Sequence, residues 1–379
     1  MKTTTRLLSL IAGFLILSSC QQQQQATLPE SGLNPADFQS TSQEGSTDLF
    51  TLVNKNGMEV CITNFGGRIV SVMVPDRSGE KKDVVLGFDN IQDYITKSSD
   101  FGASIGRYAN RIGGHQFPLD GQVITLPDND NGNCLHGGPK GWQYRVYQAT
   151  KVEKDCLELT LVSTDGDMNF PGEVTAKVTF LLTPDNAIDI SYSATTTKKT
   201  VINMTNHSYF NLSGDPSTPA TDHILWVNAD AYTPVNDNFI TLGTIDSVEG
   251  TPMDFRTAHE VGRDIDSDFE QVVFGHGYDH NWVLNTKGDI KECAARLMSP
   301  KTGITLEVYT DEPGIQVYAG NFLDGTVTGK NGVAYPRRAS VCLETQHYPD
   351  SPNKPQWPSV FLEPGQTYHS HCIFKFSVN

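Results

Sequence analysis

The chain is a long succession of short segments in which apolar and polar residues alternate, each segment ending at a turn. Such alternation begins at Cys156 (CLELTLVSTDGD), Glu173 (EVTAKVTFLLTPDNAIDISYSATT) and Gly303 (GITLEVYTDEPGIQVYAG). A period of two places successive side chains on opposite faces of a β-strand. Turn residues recur roughly every eight to twelve residues, as in sandwiches and barrels. Thirty-three glycines and twenty prolines supply those turns, so the pattern predicts one large all-β sandwich or barrel.

Local signals sharpen this prediction at three places. Asn56-Gly57 lies between two alternating runs and is a strong hairpin signal. A second hairpin is predicted around Pro184-Asp185-Asn186. Helical periodicity is almost absent, and the best short candidate is DNIQDYIT from Asp89.

The N-terminal segment has the pattern of a targeting sequence. Lys2 and Arg6 precede an apolar run, Leu7–Leu17, that is too short to span a bilayer comfortably. The following LSSC resembles a bacterial lipobox, which predicts cleavage before Cys20 and acylation of its thiol. An ordinary secretory peptide with a chance cysteine is the alternative.

Three regions follow from this interpretation. We expect a lipoprotein signal peptide at 1–19, a lipidated tether and linker at 20–45, rich in Gln, Ser, Thr and Pro, and one folded domain at 46–379. A lipid on Cys20 would anchor the protein to a membrane without spanning it. The predicted location is therefore outside the cytoplasm, in the periplasm or at the outer membrane.

Charge and cysteine usage exclude other classes. Loss of the two basic residues of the leader takes the formal net charge from −16 to −18, and no basic patch stands out, so no nucleic-acid partner is expected. Six cysteines follow Cys20 without close pairing. We interpret most of them as small buried apolar residues rather than a disulfide scaffold.

Several segments carry polar residues where a strand or turn alone would not require them. His207 follows a predicted strand and is a metal ligand, a proton carrier or a satisfied core residue. His136 precedes two glycines, which permit close backbone approach. Glu344 ends an apolar strand, and Gln316 lies inside another, where a buried amide needs partners.

Six motifs occur in order from about Leu49 to the C-terminus: GRYANRI, LHGG, TNHSYFNLSG, GYDHNW, PGIQVYAGNFLDG and LETQHYPDSPN. Together they resemble the galactose mutarotase (aldose 1-epimerase) family. The resemblance implies a single large domain of the galactose-mutarotase-like β-sandwich (supersandwich) type, with no cofactor and no metal. It implies a small-molecule aldose as substrate, and we expect a monomer or a weak dimer.

The resemblance also implies roles for individual residues. Glu344 matches the general base and His207 the general acid. The residues that match sugar-holding positions are Arg111, His136, Asp279, Gln316 and, less firmly, Asn110. Interconversion of anomers by ring opening needs a base for the anomeric hydroxyl and an acid for the ring oxygen, and it needs no metal or hydride.

Four alternatives remain open at this point. A non-catalytic carbohydrate-binding lipoprotein would keep the fold and lack turnover. A glycoside hydrolase would use Glu344 and Asp279 as paired carboxylates. A metal site would use His136, His207 and His280, although no HxH or HExxH spacing supports it. An epimerase of sugar phosphates would need a basic cluster, for which only Arg107 and Arg111 lie close together.

Overall fold

A computed structural model describes residues 28–97 and 99–379. The predicted signal peptide, the lipidation site Cys20 and the glutamine tether lie outside the described residues. Within the described ranges, no helix has both the length and the apolar character needed to cross a bilayer.

Almost all regular structure of residues 28–97 and 99–379 is β. The strands, in chain order, are β1 Ser40–Ser42, β2 Gly45–Thr47, β3 Leu49–Val53, β4 Glu59–Thr63, β5 Arg68–Pro75, β6 Lys81–Asp83, β7 Ala103–Ile105, β8 Arg111–Ile112, β9 Gln116–Leu119, β10 Gln122–Thr125, β11 Cys134–Leu135, β12 Gln148–Val152, β13 Cys156–Ser163, β14 Val174–Leu182 and β15 Ala187–Thr196. The later strands are β16 Thr200–Val201, β17 Thr205–His207, β18 Tyr209–Phe210, β19 Ile224–Val227, β20 Ala231–Thr233, β21 Asp246–Ser247, β22 His259–Glu260, β23 Asp279–Val283, β24 Cys293–Met298, β25 Ile304–Thr310, β26 Gly314–Tyr318, β27 Val341–Gln346, β28 Phe361–Leu362 and β29 Tyr368–Val378.

The helices are short. In the part of the chain that the structure describes, the α-helices are α1 Ile91–Thr96 and α2 Glu270–Phe274, and the 3₁₀ turns are Pro35–Phe38, Gly113–His115, Trp142–Tyr144, Asp167–Asn169, Lys330–Gly332 and Ser351–Asn353. Helix α1 begins where the Asn90 side chain accepts the backbone N–H of Asp93 at 2.9 Å, a standard N-cap.

Three larger antiparallel sheets form the body of the molecule. The largest has the order β12-β13-β14-β15-β29-β25-β24-β19-β22, the second β18-β27-β26-β23-β20-β21, and the third β3-β4-β5-β6. The inward residues of all three sheets belong to one apolar cluster, as illustrated by Phe180, Leu343 and Val72. Sheets therefore pack face to face around a common core, as in a sandwich.

The two faces of the six-stranded sheet have different surroundings. Along β27, Leu343 packs in the main core, whereas Cys342 belongs to a second apolar cluster with Tyr209 and Tyr318. Alternation then places Glu344 on the face of Cys342 and away from the main core. In the register of β26 with β27, Gln316 lies opposite Glu344. This second face carries the polar side chains and is covered by the chain between β6 and β12.

Several sequence predictions are confirmed by these elements. The all-β sandwich is present, β3 and β4 form the hairpin across Asn56-Gly57, and β14 and β15 form the hairpin across Pro184-Asp185-Asn186. The helix predicted near Asp89 is α1. The six cysteines after Cys20 form no disulfide bond, and five of them are buried.

The linker is shorter than the sequence predicts. Within the range assigned to it, Leu33 and Phe38 are buried in an apolar cluster. The carboxylate of Glu59 accepts the backbone N–H groups of Glu30 and Ser31 at 2.9 and 3.2 Å. The chain therefore packs against the folded domain from about residue 29 rather than 46. The sequence does not indicate this packing, because Leu33 and Phe38 are isolated apolar residues in a segment rich in Ser, Thr and Pro.

Candidate active site

The polar face of the six-stranded sheet forms the floor of a cleft. Its walls come from the loop before β7, from β8 and from the turn after β11. The lining residues are Asp100, Asn110, Arg111, Leu135, His136, His207, Tyr209, Asp279, Tyr318, Phe322 and Glu344. A larger groove of ≈ 600 Å³ lies between the N-terminal segment and the nine-stranded sheet, but it gathers no comparable set of acids, bases and sugar-binding groups.

His207 and Glu344 meet at the centre of the cleft. The Nε2 atom of His207 lies 3.5 Å from Oε1 of Glu344. Both side chains are almost fully buried, yet His207 Nδ1 and Glu344 Oε2 have no hydrogen-bond partner among the described residues. The His207 ring stacks on Tyr209, with centroids 4.9 Å apart and planes inclined by 17°. Because these two atoms lie at the centre of a cleft, they are available to bond a bound molecule.

Burial dominates the electrostatics of this pair. It lowers the pKa of His207, and it raises the pKa of Glu344 well above 4.5, assisted by the negative charges of Asp279 and Asp100. Both shifts favour the uncharged form of the side chain, and they bring the pKa values of the histidine and the carboxyl group closer together, which eases exchange of a proton through a bound molecule.

A second set of contacts holds the opposite wall. Arg111 donates from Nε to Asp130 at 2.6 Å, and its guanidinium carbon lies 4.5 Å from the centre of the Phe239 ring. Its NH1 atom is 4.0 Å from Asp279. Gln316 donates to Asp279 at 2.8 Å. The arrangement fixes a carboxylate and a guanidinium side by side, which suits recognition of sugar hydroxyls.

Two hydrogen bonds join Asn110 and His136. The N–H of Asn110 donates to Nδ1 of His136, and the N–H of His136 donates to the carbonyl of Asn110, each at 3.1 Å. The first glycine after His136 is required by packing, because a Cβ on Gly137 would lie 2.3 Å from the carbonyl oxygen of Gly106. The close backbone approach expected from the HGG sequence is therefore present.

All seven residues expected from the sequence lie at this site. Six of them line the cleft, and Gln316 contacts it through its bond to Asp279. The sequence analysis missed Asp100, Tyr318 and Phe322. Asp100 had no signal beyond a single carboxylate before an aromatic–glycine pair, and Tyr318 lay two positions after Gln316 on the same face of β26.

Two residues considered from the sequence lie elsewhere. Arg107 is buried and donates to the carbonyls of Pro171 and Gly172 at 2.8 and 2.9 Å, so it stabilises a turn. His280 is fully buried on the core side of β23, and burial lowers its pKa to about 3. Neither side chain lines the cleft.

A metal site is not supported by the donor set. Asp100, His136 and His207 bring possible ligand atoms within 4.8 Å of one another. However, His136 Nδ1 accepts the backbone N–H of Asn110, so the neutral ring carries its proton on Nε2. That nitrogen is then a donor and offers no lone pair to a cation. His280, the third histidine of the hypothesis, faces the core.

A family model described as aldose 1-epimerase matches residues 48–375. The chain belongs to the aldose 1-epimerase family. It is similar to the galactose mutarotase of Mus musculus, with 42% identity over 334 residues that cover 88% of this chain and 95% of the relative. It is also similar to the aldose 1-epimerase of Escherichia coli K12, with 39% identity over 330 residues that cover 86% and 94%.

Solved structures agree with this assignment. An aldose epimerase homologue from C. elegans superposes with a TM-score of 0.81 at 29% identity, covering 88% of this chain and 99% of that one. A galactose 1-epimerase from Lactobacillus acidophilus gives a TM-score of 0.79 at 28% identity, covering 90% and 97%. The fold expected from the family resemblance, a galactose-mutarotase-like β-sandwich in a single domain, is confirmed.

Proposed function

We propose that this member of the aldose 1-epimerase family interconverts the α and β anomers of free aldoses such as glucose and galactose by acid–base opening and closure of the ring. The observation that carries the proposal is the pairing of His207 with Glu344 at 3.5 Å inside the cleft, where one nitrogen and one oxygen of the pair have no partner among residues 28–97 and 99–379. A non-catalytic sugar-binding protein would have no need of a buried, unsatisfied acid–base pair.

The reaction assigns one proton transfer to each member of the pair. Glu344 takes the proton of the anomeric hydroxyl as the bond between carbon 1 and the ring oxygen breaks. His207 gives a proton to that ring oxygen, so an open-chain aldehyde forms without a covalent intermediate. Rotation about the bond from carbon 1 to carbon 2 exposes the other face, and reclosure reverses both transfers. Each positioned group contributes about 10²–10⁴-fold.

The remaining residues hold the sugar. Arg111 and the Nε2–H of His136 act as donors, while Asp279 accepts bonds from hydroxyls and is fixed by Gln316. Asn110 fixes the ring of His136 through its backbone N–H. Holding the ring at one orientation removes much of the entropic barrier to the reaction.

The charge of the cleft favours a neutral sugar over a sugar phosphate. Of the described residues that line it, only Arg111 carries a permanent positive charge, against the carboxyl groups of Asp100, Asp279 and Glu344. A phosphate group would meet these carboxylates without the basic cluster that phosphate recognition needs. The Arg107 side chain does not compensate, because it is bonded to backbone carbonyls away from the cleft.

Polarimetry tests this proposal. The optical rotation of freshly dissolved α-D-glucose and α-D-galactose is followed with and without the purified protein. We expect the protein to accelerate the approach to equilibrium in proportion to its concentration and to leave the final rotation unchanged. If it accelerates mutarotation of no free aldose, the proposal is wrong and the sugar-binding alternative takes its place.

We also propose that Cys20 carries a lipid and anchors the protein outside the cytoplasm, in the periplasm or at the outer membrane, with an active monomer or weak dimer. The support is the sequence LSSC after an apolar run and before five glutamines. Metabolic labelling with a radioactive fatty acid should mark the wild type and leave Cys20→Ser unlabelled and released into the soluble fraction. Equal labelling of both forms would contradict the anchor.

A further inference from the structure

The carboxyl group of Asp100 faces the two histidines of the cleft. Its ligand oxygen lies within 4.8 Å of a ring nitrogen of His136 and of His207. The Oδ1 atom is buried and has no hydrogen-bond partner among the described residues. Among the described residues, no ion pair or side-chain hydrogen bond accounts for this carboxylate, so its position calls for an explanation from the site itself.

The loop that carries Asp100 is held on both sides. The fully buried guanidinium of Arg68 donates to the carbonyls of Ser99 and Phe101, each at 3.0 Å. The N–H of Gly102 donates to the carbonyl of His207 at 3.0 Å. A Cβ on Gly102 would lie 1.9 Å from the carbonyl oxygen of Ile69, so only glycine permits this approach. The backbone around Asp100 is therefore fixed beside His207.

The surroundings of His207 define what Asp100 does to it. The titratable groups packed around the ring are Glu344 of β27, Tyr209 of β18, Tyr318 of β26, His136 after β11, and Asp100. Burial lowers the pKa of His207 and Asp100 opposes that effect, while the more distant charge of Arg68 lowers it further. Glu344 cannot serve as a permanent counter-ion, because it has to give and take a proton itself.

We propose that Asp100 is a positioning residue of the reaction, whose carboxylate holds the proton on His207 between turnovers. The inference rests on the proposed function of His207 as the acid. A fixed anion at this distance favours the imidazolium over the neutral ring. Asp100 thus offsets the desolvation of His207 that the enclosed cleft imposes, and it does so without entering the proton transfer.

Two readouts test the proposal on the purified full-length protein. The imidazole of His207 is titrated by ¹H–¹³C NMR, with its signal identified by its loss in His207→Asn. The titration is repeated in a Glu344→Gln background. This substitution removes the carboxylate whose own titration is coupled to that of His207. In Asp100→Asn we expect the pKa of His207 to fall by about one to three pH units in both backgrounds.

The pH dependence of kcat/KM for mutarotation should follow. Its basic limb, which reports loss of the His207 proton, moves to lower pH in Asp100→Asn, while Asp100→Glu keeps the limb close to that of the wild type. Asp93→Asn is the matched control: it removes one negative charge from α1, where Asp93 pairs with the exposed Lys97, and should leave both readouts unchanged.

Two results would overturn the proposal. An unchanged titration of His207 in Asp100→Asn would show that the carboxylate does not control the proton. A uniform loss of kcat/KM at every pH, with the limb unmoved, would show that Asp100 only contacts the sugar. If the protein catalyses no mutarotation at all, the proposed function fails, but the NMR titration still decides whether Asp100 holds the proton on His207.

Discussion

The His207–Glu344 pair of the cleft and the nearby His347–Glu312 pair are built from the same two side-chain types. In the second pair, Nδ1 of His347 lies 2.5 Å from Oε2 of Glu312, against 3.5 Å for the nearest atoms of the first. The other Glu312 oxygen accepts a long bond of 3.5 Å from the hydroxyl of Tyr368. In the first pair, one nitrogen of His207 and one oxygen of Glu344 have no hydrogen-bond partner within the described part of the chain.

The histidine pKa values of the two pairs move in opposite directions. Burial lowers the pKa of both rings, but the charge and hydrogen bond of Glu312 outweigh burial at His347, so its pKa is raised. At His207 burial prevails and the pKa is lowered. A closed pair commits its proton to one partner and stabilises the fold. An open pair keeps its proton available to a third molecule, at some cost in stability.

The largest predicted effect comes from removing either member of the open pair. Glu344→Gln and His207→Asn should each lower kcat for mutarotation by about 10²–10⁴-fold, because each removes one of the two proton carriers. Polarimetry measures the rates, and urea unfolding should show a stability change below about 1 kcal/mol. If a variant keeps kcat within tenfold of the wild type, the residue that it replaces is not a proton carrier in the reaction.

Breaking the closed pair should have the opposite profile. Glu312→Gln leaves the half-buried imidazole of His347 without its counter-charge, so we expect a loss of up to about 3 kcal/mol in the free energy of unfolding. The value of kcat should stay within about threefold. Chemical denaturation measures the loss, with Glu153→Gln as the control, since Glu153 pairs with Lys151 in solvent and such exposed pairs contribute little to stability. Equal losses in the two variants would refute the distinction.

A third prediction compares Arg111, which we expect to bind the sugar, with Arg107, which we expect only to stabilise the fold. Arg111→Lys keeps the charge but loses the planar fork that reaches Asp130 and Asp279, so KM should rise about tenfold. Arg107→Lys should leave KM unchanged and lower the melting temperature, because Arg107 bonds backbone carbonyls away from the cleft. Initial-rate kinetics and thermal unfolding are measured for both variants. A rise in KM for Arg107→Lys would contradict the placement of the cleft.

The smallest effect is a difference in pH dependence. Because the folded-state pKa of His347 is raised, its stabilisation is complete below the unfolded value of about 6.5 and is lost as the pH rises through the folded pKa. The cost of His347→Asn should therefore be larger at acidic than at alkaline pH, by an amount of order 1 kcal/mol.

His207 should show the reverse sign. Its folded-state pKa is lowered, so protonation of the unfolded chain penalises the native state as the pH falls below about 6.5. His207→Asn removes that penalty and should gain stability relative to the wild type in acid. Denaturant unfolding at a series of pH values measures the stability change of each variant relative to the wild type. If the stability changes of His347→Asn and His207→Asn vary with pH in the same direction, the two pairs do not differ as described.

Much of the local structure was readable from the sequence. Alternation and turn residues located the hairpins at Asn56-Gly57 and at residues 184–186. The residues of the cleft were indicated by the resemblance of six motifs to the aldose 1-epimerase family, not by local patterning. The hairpins were predictable because neighbouring residues determine them.

The features that were missed depend on contacts between distant segments. Asp100 lies beside His207 only because Arg68 and Gly102 fix its loop against β5 and β17. Glu312 and His347 are 35 residues apart, and nothing near either residue indicates the pair. Leu33 and Phe38 are isolated apolar residues in a polar segment. Their burial depends on an apolar cluster formed by residues distant in the sequence, such as Leu86 and Phe88.

The most direct test measures both properties of both pairs together. Rates of anomer interconversion and free energies of unfolding are determined for His207→Asn, Glu344→Gln, His347→Asn and Glu312→Gln under identical conditions. The account predicts that the first two variants lose activity and keep stability, and that the last two lose stability and keep activity. If all four lose activity in proportion to their loss of stability, the open pair has no separate catalytic role and the central claim is contradicted.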